Sequence, residues 1–92
     1  MRTREEVEQT FIDMINKFLK LGLEYPLPPD ISLIDLKKYS GTDTQDLDSI
    51  DVLELVIQIE EVFGVPIEDK EIKNLMVWSN LIDYITNNQK NQ

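Results

Sequence analysis

The chain has 92 residues, of which 41% are hydrophobic and 29% charged, and this composition predicts one small globular domain over residues 1–92. It contains neither Cys nor His, which excludes disulfides, thiolate nucleophiles and Ser-His-acid hydrolases. A net charge of −9 disfavours nucleic acid as a partner, and no apolar run reaches the roughly 18 residues of a membrane span. Since the N-terminus lacks a signal-like apolar stretch, we expect a cytoplasmic protein. We also expect it to be a monomer.

The first helix is predicted to run from about Arg4 to Leu21. Thr3 followed by Glu6 is typical of a capping box at its start, and Gly22 is placed to end it. Apolar residues recur at the spacing of a helix that buries one face. This stripe consists of Val7, Phe11, Met14, Ile15, Phe18 and Leu19.

A proline-rich segment follows, because residues 23–29 contain three prolines that cannot continue a helix. Pro26 and Pro29 make a PxxP spacing, for which a stiff connector is a simpler interpretation than a recognition motif. A short helical turn is predicted around Ser32 to Lys38, and Leu47 is expected to turn inward and fix the approach to the next helix. The first two main helices are therefore joined by a long loop.

The second helix is the clearest element and is predicted over Ser49 to Phe63, with Asp48 as its cap. Gly64, with Pro66 two residues later, ends it. Apolar residues again form a stripe expected to face the core. These are Val52, Leu55, Val56, Ile59, Val62 and Phe63.

A short helix around Asp69 to Leu75 and a last helix from about Ser79 to Thr86 complete the chain, followed by a polar tail at about residues 87–92. No strand is predicted. We therefore expect an all-α fold, a four-helix bundle with three longer helices and one short helix. The first and last helices are expected to add Phe11, Ile15, Phe18, Leu81, Ile82 and Ile85 to the core.

The net charge is concentrated in one segment. Residues 43–69 hold nine acids and no Lys or Arg, whereas the other 65 residues carry nine acids and nine bases. A charge run alone is usually a solvated face, but a field this localised favours a docking surface for basic partners. The candidate docking acids are Asp51, Glu54, Glu60 and Glu61.

Ser49 is the residue most suited to a function. It follows Asp48 at the start of the acidic helix, where free backbone N–H groups and the positive end of the helix dipole tolerate a phosphodiester. A simple N-cap is the alternative interpretation of an Asp-Ser pair. Asp48 is the better cap, however, and a capping Asp48 leaves the Ser49 hydroxyl available for modification.

Three segments together resemble the acyl carrier protein family: residues 47–56 (LDSIDVLELV), 59–65 (IEEVFGV) and 81–85 (LIDYI). The similarity needs no gap from residue 48 to residue 85. It implies that Ser49 carries 4′-phosphopantetheine, attached from coenzyme A by a phosphopantetheinyl transferase. The thiol of that arm holds an acyl or aminoacyl group as a thioester, so the implied protein is a carrier and not an enzyme.

The resemblance also implies partners, namely the transferase and the loading and synthase enzymes, which dock through basic patches. Ile50, Leu53 and Ile57 lie beside the core stripe, and the matching flank in the family is an exposed apolar patch that partners grip. A position at the rim of the core is the equal alternative. Trp78 and Tyr84 are expected to be core residues, with the lining of a cargo pocket as the lesser option.

Several positions depart from the family pattern. Asp46 stands where Gly is usual, Ile50 where Leu is usual, and Trp78 where a smaller aliphatic residue is usual. The loop before Ser49 is also longer than in a typical fatty-acid carrier. The cargo therefore stays open between fatty acid biosynthesis, a polyketide, an amino acid and other secondary metabolism.

Three rival classes were compared with the carrier. A calcium site is suggested by the crowding of Asp43, Asp46, Asp48 and Asp51, but it fails because a loop starting at Asp46 puts Ile57 where the bidentate Glu belongs. An acidic helical adaptor or inhibitor, with its serine unmodified, predicts the same fold and charge. An enzyme would need a carboxylate pair, and none is distinguishable from the solvated face.

Overall fold

The computed structural model of the chain describes residues 2–41 and 47–89. These residues form five α-helices and contain no strand, only an isolated bridge between Ser32 and Val77. The predicted all-α fold with three longer helices is thus confirmed. The helices are α1 (Arg4–Leu19), α2 (Leu36–Ser40), α3 (Ser49–Phe63), α4 (Asp69–Ile72) and α5 (Trp78–Asn87), with 3-10 turns at Leu33–Asp35 and Lys73–Leu75.

Helix α1 begins as predicted and ends earlier than predicted. The Thr3 hydroxyl accepts the Glu6 N–H at 3.2 Å and the Glu6 carboxylate accepts the Thr3 N–H at 3.1 Å, which is the expected capping box. The predicted end at Leu21, with Gly22 as the stop, is wrong. Lys20 adopts the left-handed conformation at φ 55° and closes the helix, because Leu21 then turns back into the core.

Helix α3 has the predicted bounds and ends. Asp48 caps it, with the Asp48 side chain accepting the Asp51 N–H at 2.8 Å, and Gly64 closes it in the left-handed region at φ 69°. The capping box is completed by the Asp48 N–H, which donates to the Asp51 carboxylate at 3.4 Å. The start of the helix is therefore fixed by side chains on either side of Ser49.

The predicted core is largely confirmed, with Leu55, Ile59 and Phe63 buried along α3. Placing Val62 in that stripe was wrong, because its side chain is 36% exposed. Val62 lies about 60° around the helix from the centre of the stripe, at its edge. The predicted core residues Phe18, Val52 and Val56 are only partly buried.

An aromatic cluster joins α1, α3 and α5. Phe11 packs edge-on against Trp78 with ring centroids 5.2 Å apart, and stacks on Phe63 at 6.3 Å. The Arg2 guanidinium lies over the Phe63 ring, with its Cζ 5.4 Å from the ring centroid. Trp78 is 1% exposed and opens α5, one residue before the predicted start.

The described part of the long loop is attached to the bundle at several points. Leu33 N–H donates to the Met76 carbonyl at 2.7 Å, and the Trp78 N–H donates to the Ile31 carbonyl at 2.9 Å. Leucines that were not predicted as core anchor the segment: Leu23, Leu27, Leu33 and Leu36 are buried. Leu47 is buried as expected, and its N–H donates to the Ile34 carbonyl at 3.1 Å.

The C-terminal end is tied to the N-terminal end as far as the structure describes it. Asn87 is the last residue of α5, and the Gln89 side chain bonds both backbone groups of Arg2, accepting the N–H at 3.0 Å and donating to the carbonyl at 2.8 Å. The polar tail predicted from about residue 87 thus starts inside the helix. Its last residues, 90–92, lie outside the described part of the chain.

Candidate functional site

Ser49 is the first residue of α3 and is exposed. Asp48 makes the capping bond, so the hydroxyl of Ser49 is not used as a cap. Within residues 2–41 and 47–89, the Ser49 side chain makes no hydrogen bond. The arrangement is the one expected from the sequence: an accessible hydroxyl in the first turn, beside unpaired backbone N–H groups at the positive end of the helix dipole.

The apolar flank of α3 is exposed. Ile50, Leu53 and Ile57 are 64%, 49% and 52% exposed, so these side chains do not belong to the rim of the core. Their spacing places them on one face, and we refer to Ile50, Leu53 and Ile57 as the apolar strip. Ser49 lies at the N-terminal end of the helix that carries this strip.

Three of the four candidate docking acids surround the strip. Glu54, Glu60 and Glu61 are exposed, and we refer to them as the acidic rim. In the described part of the chain, none of the three forms an ion pair with Lys or Arg. A compact surface of apolar side chains bordered by unpaired carboxylates therefore lies next to the accessible serine.

Asp51, the fourth candidate, has a different environment. Its Oδ2 lies 3.5 Å from Lys37 Nζ in α2, and it also accepts the Asp48 N–H. The Asp51 side chain is 25% exposed. This pairing could not be predicted from the sequence, because the segment from residue 43 to residue 69 has no base of its own and Lys37 lies before it.

A small apolar cavity lies behind α3. Its volume is about 20 Å³, room for little more than one water molecule. It lies between α3, the α4 region and the first half of α5. The lining residues are Leu33, Val52, Leu55, Val56, Ile59, Ile67, Ile72, Leu75, Met76 and Leu81.

Trp78 and Tyr84 do not line this cavity. Trp78 is core, as expected, whereas Tyr84 is half-buried with its hydroxyl donating to the Pro66 carbonyl at 3.4 Å. The neighbouring Glu71 carboxylate raises the pKa of the Tyr84 hydroxyl, and desolvation adds to the effect. The bond to Pro66 ties α5 to the segment that follows α3.

Sequence reasoning missed Glu8, which is 7% exposed although it is charged. Its carboxylate pairs with Arg4, which also bonds Asp83 of α5 at 2.7 Å, and it accepts the Trp78 indole N–H at 3.5 Å. The interaction with Asp83 raises the pKa of Arg4. Four-residue spacing of Arg4 and Glu8 was the available signal, and it points to helix packing rather than to chemistry.

The calcium alternative finds no support in the described residues, where no group of three or more acidic side chains is arranged to hold a metal ion. Asp43 and Asp46, on which that alternative depended, lie outside the described residues. No helix in the described segments is long and apolar enough to span a bilayer.

No protein-family model matches the chain. Comparison with individual proteins nevertheless finds relatives along nearly its whole length. The chain is 35% identical to the acyl carrier protein of Renibacterium salmoninarum over 89 residues, which cover 97% of the chain and 99% of the relative. It is 33% identical to the acyl carrier protein of Arthrobacter sp. over the same shares. A 48-residue part, 52% of the chain and 57% of the relative, is 48% identical to that of Acidothermus cellulolyticus.

Among solved structures, the crystal structure of a Toxoplasma-specific mitochondrial acyl carrier protein has the same fold. The TM-score is 0.68 with 21% sequence identity, and the match covers 97% of this chain and 93% of that one. The match shows that this chain is a small helical domain with the fold of that protein. The near full-length identities then assign it: the chain belongs to the acyl carrier protein family, and it is a carrier, not an enzyme.

Proposed function

We propose that Ser49 carries 4′-phosphopantetheine and that the protein presents acyl or aminoacyl thioesters on this arm to biosynthetic enzymes. The observation that carries the proposal is the position of Ser49, exposed at the first residue of α3 behind a cap that uses Asp48 instead. The arm, when attached, supplies a thiol that forms the thioester. The residues of the chain hold and present it.

The surroundings of Ser49 suit a phosphodiester. The first-turn N–H groups of α3 that are not used in capping point toward the helix start, and the helix dipole is positive there. Repulsion from nearby carboxylates works in the opposite direction. The carboxylates of Asp48 and Asp51 each accept a backbone N–H of the cap, and Asp51 also pairs with Lys37. These contacts reduce the repulsion.

We further propose that partners dock on the apolar strip and the acidic rim. Strip and rim lie on the same helix as Ser49, so a partner bound there has the modified serine within reach. These partners are the phosphopantetheinyl transferase and the loading and synthase enzymes, which would dock through basic patches. Electrostatic attraction would speed their encounter, and the apolar side chains would add short-range affinity.

The pathway belongs to the proposal as well. Fatty acid biosynthesis is supported by the name shared by the curated relatives, which describes acyl cargo. Polyketide or aminoacyl cargo is the second candidate, because the sequence departs from the family pattern at Asp46, Ile50 and Trp78. We place the protein in the cytoplasm, as its cysteine-free sequence suggests.

Intact-mass measurement tests the proposed attachment. Incubation with coenzyme A and a broad-specificity transferase should add the mass of one phosphopantetheinyl group to the wild-type protein, and Ser49→Ala should stay folded and unmodified. Ser79→Ala is the matched control, since Ser79 also lies in the first turn of a helix, and it should load like wild type. Modification that persists in Ser49→Ala would refute the site, and no loading by several transferases would favour the acidic adaptor.

A further inference from the structure

Asp51 lies on a different side of α3 from the acidic rim. At about 100° of rotation per residue, Glu54, Glu60 and Glu61 lie roughly 50–70° from the centre of the apolar strip. By the same measure, Asp51 lies about 130° from that centre. The sequence groups these four acids together, but the helix separates Asp51 from the other three.

Lys37 occupies the side to which Asp51 turns. The distance of 3.5 Å between Lys37 Nζ and Asp51 Oδ2 is that of an ion pair, and the two side chains are only 22% and 25% exposed. Such partial burial excludes much of the solvent that weakens exposed pairs. A basic group approaching Asp51 from outside would therefore meet an ammonium already in place.

The element that presents Lys37 is anchored. Its neighbour Leu36 is completely buried, and the Ser40 hydroxyl closes the short helix by donating to the Lys37 carbonyl at 2.9 Å. The backbone bond between Leu47 and Ile34 attaches the same loop directly before α3. Because the backbone is held, pairing restricts only the side chain of Lys37, which lowers the entropic cost of the contact.

We propose that Lys37 masks Asp51, so that basic partners dock on the apolar strip and the acidic rim and do not use Asp51. This inference rests on the proposed function, since it concerns the same partners. The pair acts in two ways. It withdraws one carboxylate from the attractive surface, and it places a cation at the edge of that surface, which repels partners rotated toward α2 and so favours one docking orientation.

Association kinetics with the transferase at low ionic strength test the mask. Lys37→Gln should associate about 3-fold faster than wild type, because it removes a repulsive charge and releases a carboxylate. Lys70→Gln is the matched control, since Lys70 Nζ lies 3.3 Å from Glu68 Oε2 in an exposed pair away from α3. Equal acceleration by the two variants would overturn the proposal, because it would reduce the effect to net charge.

A double-mutant cycle locates the effect at Asp51. The double variant Lys37→Gln/Asp51→Asn should associate as fast as wild type, because a masked pair adds no net attraction. Asp51→Asn alone should associate more slowly, because it leaves the Lys37 cation unpaired. Lys37→Arg keeps the ion pair and should behave like wild type, which also controls for damage to the loop. If the double variant associates as slowly as Glu54→Gln does, Asp51 is a docking residue and the mask does not exist.

A second probe separates this inference from the proposed function. A hexa-arginine peptide needs no modifiable serine, and it should bind Lys37→Gln more tightly than Lys70→Gln. If wild-type protein is not loaded by any transferase but the peptide ranks the variants as stated, the proposed function fails and the mask stands. If loading occurs and both the rates and the peptide affinities are the same for the two variants, the mask fails alone.

Discussion

Asn16 bonds both backbone groups of Leu23: its Oδ1 accepts the Leu23 N–H at 2.9 Å and its Nδ2 donates to the Leu23 carbonyl at 3.0 Å. The side chain projects from the last turn of α1 and pairs with the connector as a strand would. The backbone groups of a buried loop residue are thus satisfied where no helix or sheet is available. The contact fixes the direction in which the chain leaves α1.

Asn16→Ala should therefore lower the free energy of unfolding by about 1–3 kcal/mol, because it leaves two backbone groups without partners. Denaturant unfolding measures the change. Asn80→Ala is the control, since Asn80 is exposed and makes a single bond of 3.5 Å to the Asn74 carbonyl, and it should cost under about 0.5 kcal/mol. Similar losses in both variants would show that the pairing with Leu23 adds nothing.

Ile59→Ala should lower the free energy of unfolding by about 2–5 kcal/mol, a large part of the stability of so small a domain. Ile59 is 1% exposed, and its truncation would leave a void beside the existing cavity. Val62→Ala, three residues further along the same helix, should cost less than about 1 kcal/mol because Val62 is 36% exposed. Thermal or urea unfolding of the two variants compares them directly, and equal costs would contradict the assigned orientation of α3.

Charge reversal on the acidic rim should slow docking without unfolding the protein. Glu54→Lys and Glu60→Lys are expected to reduce the rate of association with the transferase several-fold at low salt, and added salt should have a similar effect on wild type. Stopped-flow mixing measures the rates and circular dichroism checks the melting temperature. Glu24→Lys makes the same charge change in the exposed connector and should load nearly as fast as wild type. Unchanged loading of both rim variants would mean that the rim is only a solvated face.

Acid should weaken the start of α1. The hydrogen bond from the Thr3 N–H lowers the pKa of Glu6 below its usual value of 4.5, so the charged form is favoured in the folded state. This stabilisation is complete above the unfolded pKa and is lost as the pH falls through the lower folded pKa. Melting temperatures between about pH 2 and pH 6 should therefore fall less steeply for Glu6→Gln than for wild type. Glu5→Gln removes a charge from the same turn without touching Thr3, and should keep the wild-type slope.

The ends of α3 could be predicted from the sequence because they depend on local signals. Asp48 before the helix and Gly64 after it are residues whose preferred conformations coincide with the required ones. The end of α1 could not be predicted in this way, because the left-handed residue is Lys20, and lysine has no preference for that conformation. It is held there by the burial of the residues that follow it, a tertiary effect that short-range patterns do not contain.

The position of Ser49 and the exposed rim also followed from the sequence, since both depend only on helix periodicity and on the cap. The pairing of Lys37 with Asp51 did not. It requires the loop to fold back over the first turn of α3, and that path is set by buried leucines such as Leu33 and Leu36. Contacts between elements distant in the chain depend on packing that periodicity leaves undetermined.

The stretch between α2 and α3 begins and ends at fixed points. Gly41 closes α2 in the left-handed conformation at φ 76°, and Leu47 is bonded to Ile34 and buried in front of α3. The positions of Gly41 and Leu47 are therefore set by contacts within the described parts of the chain. Relatives should be able to lengthen or shorten this stretch without displacing the serine, because loop closure costs only about 0.6 kcal/mol for each doubling of length. Insertions engineered at this point, such as a fluorescent or affinity tag, should leave the carrier loadable.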